Sequence, residues 1–166
     1  MKAEAMLGVM GISTQGDGNN ERSIELPNGS RIVGLPENPE KIRGFSAVSL
    51  LLTDEAAHVE DAMYKALRPM PAVSDGDLWL MSTPYGKRGF FYDRWEHGGP
   101  GWLRIGVKAT ECPRISKDFL EEEREELGAA WFAQEYMGEF IDNGSAVFGR
   151  DLVEAALDDD VEPLWL

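Results

Sequence analysis

Apolar and polar positions alternate in short runs along this chain, and the period of the alternation changes several times. Residues 1–23 carry no clear period: Met6 to Ile12 suits either a short buried strand or a helix end, and Gln15 to Arg22 is a polar loop containing glycine. Ser23-Ile24-Glu25-Leu26 and Arg31-Ile32-Val33-Gly34-Leu35 flank Pro27-Asn28-Gly29-Ser30, and Asn-Gly between two alternating runs predicts a β-hairpin. Pro27 lacks an amide proton, which makes the first strand an edge. Pro36 to Arg43, with Pro39 inside it, reads as a loop.

Ala47 to Leu52 is apolar except at Ser49 and runs into acidic residues. That is the pattern of a strand covered on both faces, which favours a parallel sheet. A helix is expected over Ala56 to Leu67, where Val59, Met63 and Leu67 recur four apart, and Pro69 and Pro71 stop it. Asp77 to Met81 repeats the strand pattern with Leu78, Trp79 and Leu80. Gly86 to His97 suits a helix bearing Phe90, Phe91 and Trp95, interrupted by Gly98-Gly99-Pro100-Gly101. Trp102 to Val107 alternates strictly and predicts a half-buried strand. Ser116 can cap a helix start, because its oxygen accepts from an amide two or three positions on. The helix it opens carries Phe119, Leu120 and Leu127 and ends near Gly128. Ala129 to Met137 forms a second helix whose Trp131, Phe132 and Tyr136 are read as core rather than as a base-stacking platform. Asn143-Gly144 marks a turn and Asp151 to Leu157 a short last helix. Strands alternating with helices imply an α/β layered domain.

Composition narrows the class. With 166 residues, 43% hydrophobic and 28% charged, the chain suits one ordinary folded domain and not a disordered or fibrous one. Its longest apolar run falls far short of the ~20 residues that cross a bilayer. The N-terminal stretch lacks the features of a secretory signal, and the single cysteine, Cys112, read as a buried thiol, fits a reducing cytoplasm. The formal net charge is −14. Up to residue 100 there are 10 basic and 14 acidic side chains, and beyond it 6 and 16, so the excess is concentrated in the C-terminal part. A broad basic footprint for DNA is missing, and any nucleic-acid contact must be local or supplied by another chain or domain. Glu121, Glu122, Glu123, Glu125 and Glu126 form either a solvated helix face or an acidic interaction surface.

The clearest chemistry lies in Leu50-Leu51-Leu52-Thr53-Asp54-Glu55, where an apolar strand delivers two adjacent carboxylates to its C-terminal end, the edge at which open α/β sheets bind ligands. In nucleotide hydrolases the aspartate of such a pair holds Mg²⁺, mostly through water, while the glutamate orients and deprotonates the attacking water. The same residues also suit an ordinary strand-to-helix turn. The next strand ends in Leu80-Met81-Ser82-Thr83-Pro84-Tyr85-Gly86, which puts small hydroxyls beside the carboxylates if the two strands are neighbours. Ile42-Arg43-Gly44-Phe45 stands just upstream.

Arg43-Gly44, the strand with Asp54-Glu55-Ala56-Ala57, and Ser82-Thr83-Pro84-Tyr85-Gly86-Lys87-Arg88-Gly89-Phe90-Phe91-Tyr92 together resemble the large terminase subunit of tailed bacteriophages and prophages. Pro113-Arg114-Ile115-Ser116 and Trp131-Phe132-Ala133-Gln134-Glu135-Tyr136-Met137-Gly138-Glu139-Phe140 resemble the segment closing that family's motor domain. The resemblance covers roughly Ile24 to Phe148 and implies a partial P-loop NTPase-like fold of the ASCE type: a mainly parallel sheet, an N-terminal β-hairpin and C-terminal helices. It implies a partial ATPase domain over residues 1–140 and a linker over 141–166 toward a nuclease domain.

In that family the motor hydrolyses ATP to push DNA into a capsid. By resemblance Asp54 is the Mg²⁺-associated Walker B acid and Glu55 the catalytic glutamate. Ser82 and Thr83 correspond to the coupling motif, and Arg43 to an arginine finger, although a surface salt bridge or loop anchor also suits it. The cofactors implied are Mg²⁺ and ATP. The partners implied are double-stranded DNA, the portal protein, the small terminase subunit and further copies of the chain, in the cytoplasm of a bacterial host, with no membrane. The phosphate loop Gly-x-x-x-x-Gly-Lys-Ser/Thr is absent from the sequence. Hydrolysis by this chain alone is therefore expected to be negligible. Two other classes remain open: a non-catalytic acidic module that binds a packaging partner, and a helicase-like NTPase of another lineage. His58 lies one residue too late for the Asp-Glu-x-His box of helicases and is read as a helix-face residue.

Overall fold

The computed structural model describes residues 2–12 and 22–142, together with residue 156. The chain divides into two compact units, Met1–Phe45 and Ser46–Leu166.

The first unit contains helix α1 (Lys2–Val9) and an antiparallel hairpin of β1 (Ser23–Glu25) and β2 (Arg31–Val33). Ser23 pairs with Val33, Ile24 with Ile32 and Glu25 with Arg31. The turn is closed by Leu26 N donating to Ser30 O at 2.8 Å and by the Asn28 Oδ1 acceptor for Ser30 N at 3.0 Å. Gly29 adopts φ +80°, the left-handed conformation that only glycine takes without strain. Ile24 and Ile42 are buried in this unit.

In the second unit, β3 (Leu50–Thr53) and β4 (Asp77–Leu80) form a parallel pair with α2 (Asp61–Leu67) between them in sequence. Helices α3 (Gly89–His97), α4 (Lys117–Leu127) and α5 (Ala129–Glu135) follow. Buried Ala56, Phe90 and Phe91 form a core, against which Ala57, Val59, Tyr64, Leu80 and Phe140 pack. The Tyr64 and Phe90 rings stack at 4.1 Å with 3° between their planes. Ser116 caps α4 as its sequence predicts, its Oγ accepting from Phe119 N at 3.2 Å. Gly128, at φ +80°, separates α4 from α5.

Five expectations are corrected by this structure. The helix expected over Ala56 to Leu67 is broken: a 3-10 turn spans Ala56–His58, Val59 is extended, and α2 starts only at Asp61. The break lies at Val59 and Glu60, whose extended backbone (ψ 136° and 146°) separates the 3-10 turn from α2.

The strand pair is covered on one face only. Leu51 and Thr53 are buried, whereas Leu50, Leu52 and Trp79 are 44%, 53% and 55% exposed. The segment from Trp102 to Val107 forms no ladder with any described residue, and its Leu103, Ile105 and Val107 are 86%, 72% and 73% exposed. Its Arg104 reaches back to the carbonyls of Arg94 and Trp95, filling acceptors left free at the C-terminal end of α3. Finally, Cys112 is half-buried rather than buried, and Trp131 is exposed while Phe132 of the same helix is buried. The turn expected at Asn143-Gly144 and the helix expected over Asp151 to Leu157 lie outside the described residues, Ala156 excepted.

Candidate functional site

The parallel register fixes the site. Leu52 lies opposite Trp79 and Thr53 opposite Leu80. Thr53 O accepts from Met81 N at 2.9 Å, and Met81 O accepts from Ala56 N at 3.0 Å. The two chains therefore leave the sheet side by side, one as Asp54-Glu55 and the other as Ser82-Thr83. A parallel pair needs a crossover between its strands, and α2 supplies it.

Both carboxylates lie at the surface. Asp54 Oδ1 accepts from the Glu55 amide at 3.1 Å, which orients the first carboxylate against the backbone of the second. Glu55 has φ 50° and ψ 40°. A non-glycine residue in that region carries strain of about 1–3 kcal/mol, and such strain clusters at functional sites. Ala47 and Asp75 share the region, so the angle alone does not mark the site. On the other strand end, Ser82 Oγ is buried and finds no hydrogen-bond partner among the described residues. A buried polar atom without a partner is costly and calls for a reason, such as a ligand that completes it.

Beyond Ser82 the chain runs through buried Pro84 and Gly86. The Tyr85 ring lies 4.2 Å from the ring of His58, and the Arg88 guanidinium sits over the Tyr85 ring, 4.7 Å from its centroid. His58 and Tyr85 form one side of an open cavity of about 410 Å³ whose remaining walls are Leu127, Trp131, Glu135 and Tyr136. Tyr136 donates to Glu123 Oε2 at 2.7 Å. That hydrogen bond, helped by desolvation and by the charges of Glu123 and Glu135, holds the Tyr136 hydroxyl above its ordinary value of 10.0.

Arg43 belongs to the first unit, one residue beyond the buried Ile42, and its side chain is exposed. The structure thus brings Asp54, Glu55, Ser82 and Thr83 to one strand edge. Asp61 is a residue of this region that sequence reasoning missed: its Oδ1 accepts from Phe90 N, 29 positions away, at 2.9 Å.

No group of three or more histidine, cysteine, aspartate or glutamate side chains among the described residues is arranged to hold a metal. Asp54 with neighbouring hydroxyls is nevertheless the donor set that suits Mg²⁺, which keeps several waters and is bound by one or two carboxylates together with nucleotide phosphates. Among the described residues no helix is long and apolar enough to cross a membrane.

An α/β unit with a parallel strand pair ending in this edge is the P-loop NTPase-like class, and solved structures agree. The large terminase of a thermophilic bacteriophage in complex with ADP superimposes with a TM-score of 0.67 at 15% identity, over 85% of this chain and 36% of that one. The large terminase ATPase domain of Thermus phage P74-26 gives a TM-score of 0.55 at 20% identity, over 84% of this chain and 68% of that domain.

Sequence comparison is more specific. The family described as "Terminase large subunit, T4likevirus-type, N-terminal" matches residues 14–155. The large terminase subunit of Thermus phage G20c is 25% identical over 158 residues, covering 80% of this chain and 32% of its own length. That of Escherichia phage T5 is 29% identical over 141 residues, covering 78% and 31%. The chain belongs to the large terminase subunit family and matches the N-terminal part of that subunit. It spans about a third of the length of the curated relatives it matches.

Proposed function

We propose that this chain contributes the Walker B carboxylates and the coupling segment to an ATP-hydrolysing motor that packages double-stranded phage DNA, and that its phosphate loop is supplied by residues outside the chain. The observation that carries the reading is the backbone linkage of Thr53, Met81 and Ala56, which sets Asp54-Glu55 and Ser82-Thr83 side by side at the C-terminal end of a parallel pair.

In this reading Asp54 would hold Mg²⁺ beside the triphosphate, and the ion, when bound, would supply charge neutralisation. Glu55, whose backbone amide fixes the Asp54 carboxylate, accepts a proton from the attacking water and orients it, a role open to a surface carboxylate. Ser82, whose hydroxyl has no partner among the described residues, and Thr83 read the state of the terminal phosphate. Arg43 acts as a finger: a guanidinium stabilises charge spread over phosphoryl oxygens.

With a net charge of −14, the DNA contact of this chain is local or is supplied by other parts of the assembled motor, in which further copies, the portal and the small terminase subunit take part. The test is Mg²⁺-dependent ATP turnover in a full-length terminase carrying this segment, with Asp54→Ala and Glu55→Gln compared with the parent. Loss of turnover in both supports the assignment. Undiminished turnover, together with salt-sensitive partner binding through the exposed glutamates of α4, would favour the non-catalytic acidic module instead.

A further inference from the structure

Helix α3 starts directly after the coupling segment, and it has no cap of its own. Arg88, at the N-cap position, makes no side-chain capping bond. The free amide of Phe90 is satisfied by Asp61 Oδ1, from the first turn of α2, at 2.9 Å. Gly89 has φ +72°, and a Cβ placed on it would come within 3.7 Å of that same Asp61 oxygen, so the helix start and the carboxylate are in close approach.

The Asp61 contact is one of several between residues 56–61, which follow the carboxylate pair, and residues 81–90, which contain the hydroxyl pair; besides the core packing of Ala56 on Phe90, two polar or ring contacts precede it. The first is Ala56 N to Met81 O at 3.0 Å. The second is the His58–Tyr85 ring contact at 4.2 Å. The Tyr64–Phe90 stack, at 4.1 Å, reinforces the Asp61 contact.

We propose that Asp61 is a positioning residue for Ser82 and Thr83: by capping α3 from a neighbouring helix it clamps the coupling segment along its length onto the turn that follows Asp54-Glu55, so that the two strand ends move as one body. The functional half of this inference rests on the reading of Ser82-Thr83 as a nucleotide-sensing pair; the clamp itself does not. A carboxylate is well chosen for the task, because it accepts from a free helix amide and its charge favours the positive end of the helix. Asparagine retains the acceptor and loses only the charge, whereas alanine loses both.

The clamp is tested in this chain by proton NMR. There are two histidines, His58 and His97. The imidazole resonance that moves in Tyr85→Leu identifies His58, and His97 serves as the control for folding. Asp61→Ala is expected to move the His58 resonance toward its Tyr85→Leu position and to speed amide exchange at Phe90 and at the bonded amides of Ala56 and Met81 by about five- to tenfold, while Asp61→Asn stays near the parent. Should the alanine variant fail to fold, Asp61→Ser, which offers a shorter acceptor, is expected to give the same changes to a smaller extent.

If His58 and the amides of Ala56 and Met81 keep their parent values while only Phe90 exchanges faster, the clamp is overturned. In a full-length terminase carrying this segment, Asp61→Ala is expected to lower the DNA packaged per ATP with the KM for ATP unchanged, and Asp61→Asn to restore it. Unchanged coupling alongside the expected NMR changes leaves the clamp standing and overturns the motor role given to Ser82 and Thr83.

Discussion

The backbone amide of Ala56 donates to the carbonyl of Met81 at 3.0 Å, which joins the residue just after the carboxylate pair to the residue just before the hydroxyl pair. The two strand ends that carry the proposed site are therefore one hydrogen bond apart. That bond, and the packing that supports it, set what substitutions on either side should do.

Ser82 is the first test. Its Oγ is buried and without a partner among the described residues, so removing it removes an unsatisfied polar atom. Ser82→Ala is expected to raise the stability of this chain in urea by about 1 kcal/mol. In a full-length terminase, alanine at both 82 and 83 is expected to reduce DNA packaged per ATP more than it reduces nucleotide affinity. Lower stability in Ser82→Ala would show that the hydroxyl is bonded after all.

Close approach of the two strands depends on Gly76. A Cβ there would collide with the Val48 carbonyl oxygen and lie 2.9 Å from that of Ser49, immediately before the Leu50–Asp77 pair. Gly76→Ala is expected to cost about 2–3 kcal/mol by overpacking, measured as a lower urea midpoint with the slope unchanged.

Core and surface aromatics should separate cleanly. Phe91 is buried in the cluster around Ala56, and truncating it to alanine is expected to cost about 3–5 kcal/mol. Trp131 is 50% exposed. Its truncation is expected to cost about 1 kcal/mol or less, as for surface positions generally. Comparable losses at both positions would contradict the assignment of the core.

Tyr136 provides a pH dependence. Its hydroxyl is held above the ordinary tyrosine value by the bond to Glu123, so its contribution to stability is complete below about pH 10, where the unfolded side chain titrates, and is lost as pH rises through the folded value. The urea midpoint of the parent is expected to fall between about pH 9 and 11 by more than that of Tyr136→Phe. Parallel curves for the two proteins would show that the bond is not kept in solution.

Much of this was legible in the residues. Asn28-Gly29 announced its hairpin because few dipeptides accept left-handed backbone, and Ser116 announced α4 because an amide-accepting side chain stood before an amphipathic run. The two strands were legible as apolar runs between polar ends. The break at Val59 and Glu60 was not, because the spacing of Val59, Met63 and Leu67 is indifferent to two extended residues within it. Trp102 to Val107 has strand alternation but meets no partner among the described residues, and a ladder needs two chains. Asp61 was invisible because its partner lies 29 residues away and is a backbone amide, which leaves no mark on the sequence. The resemblance to terminases carried the roles of Asp54 and Glu55, which the motif alone left open to an ordinary turn.

The central claim is that Glu55 handles the proton of the attacking water, and the most direct measurement is the steady-state ATP turnover of a full-length terminase carrying this segment with Glu55→Gln. Glutamine keeps the size and loses the base, so turnover is expected to fall about a hundredfold or more while ATP affinity is retained. Turnover equal to that of the parent would contradict the account.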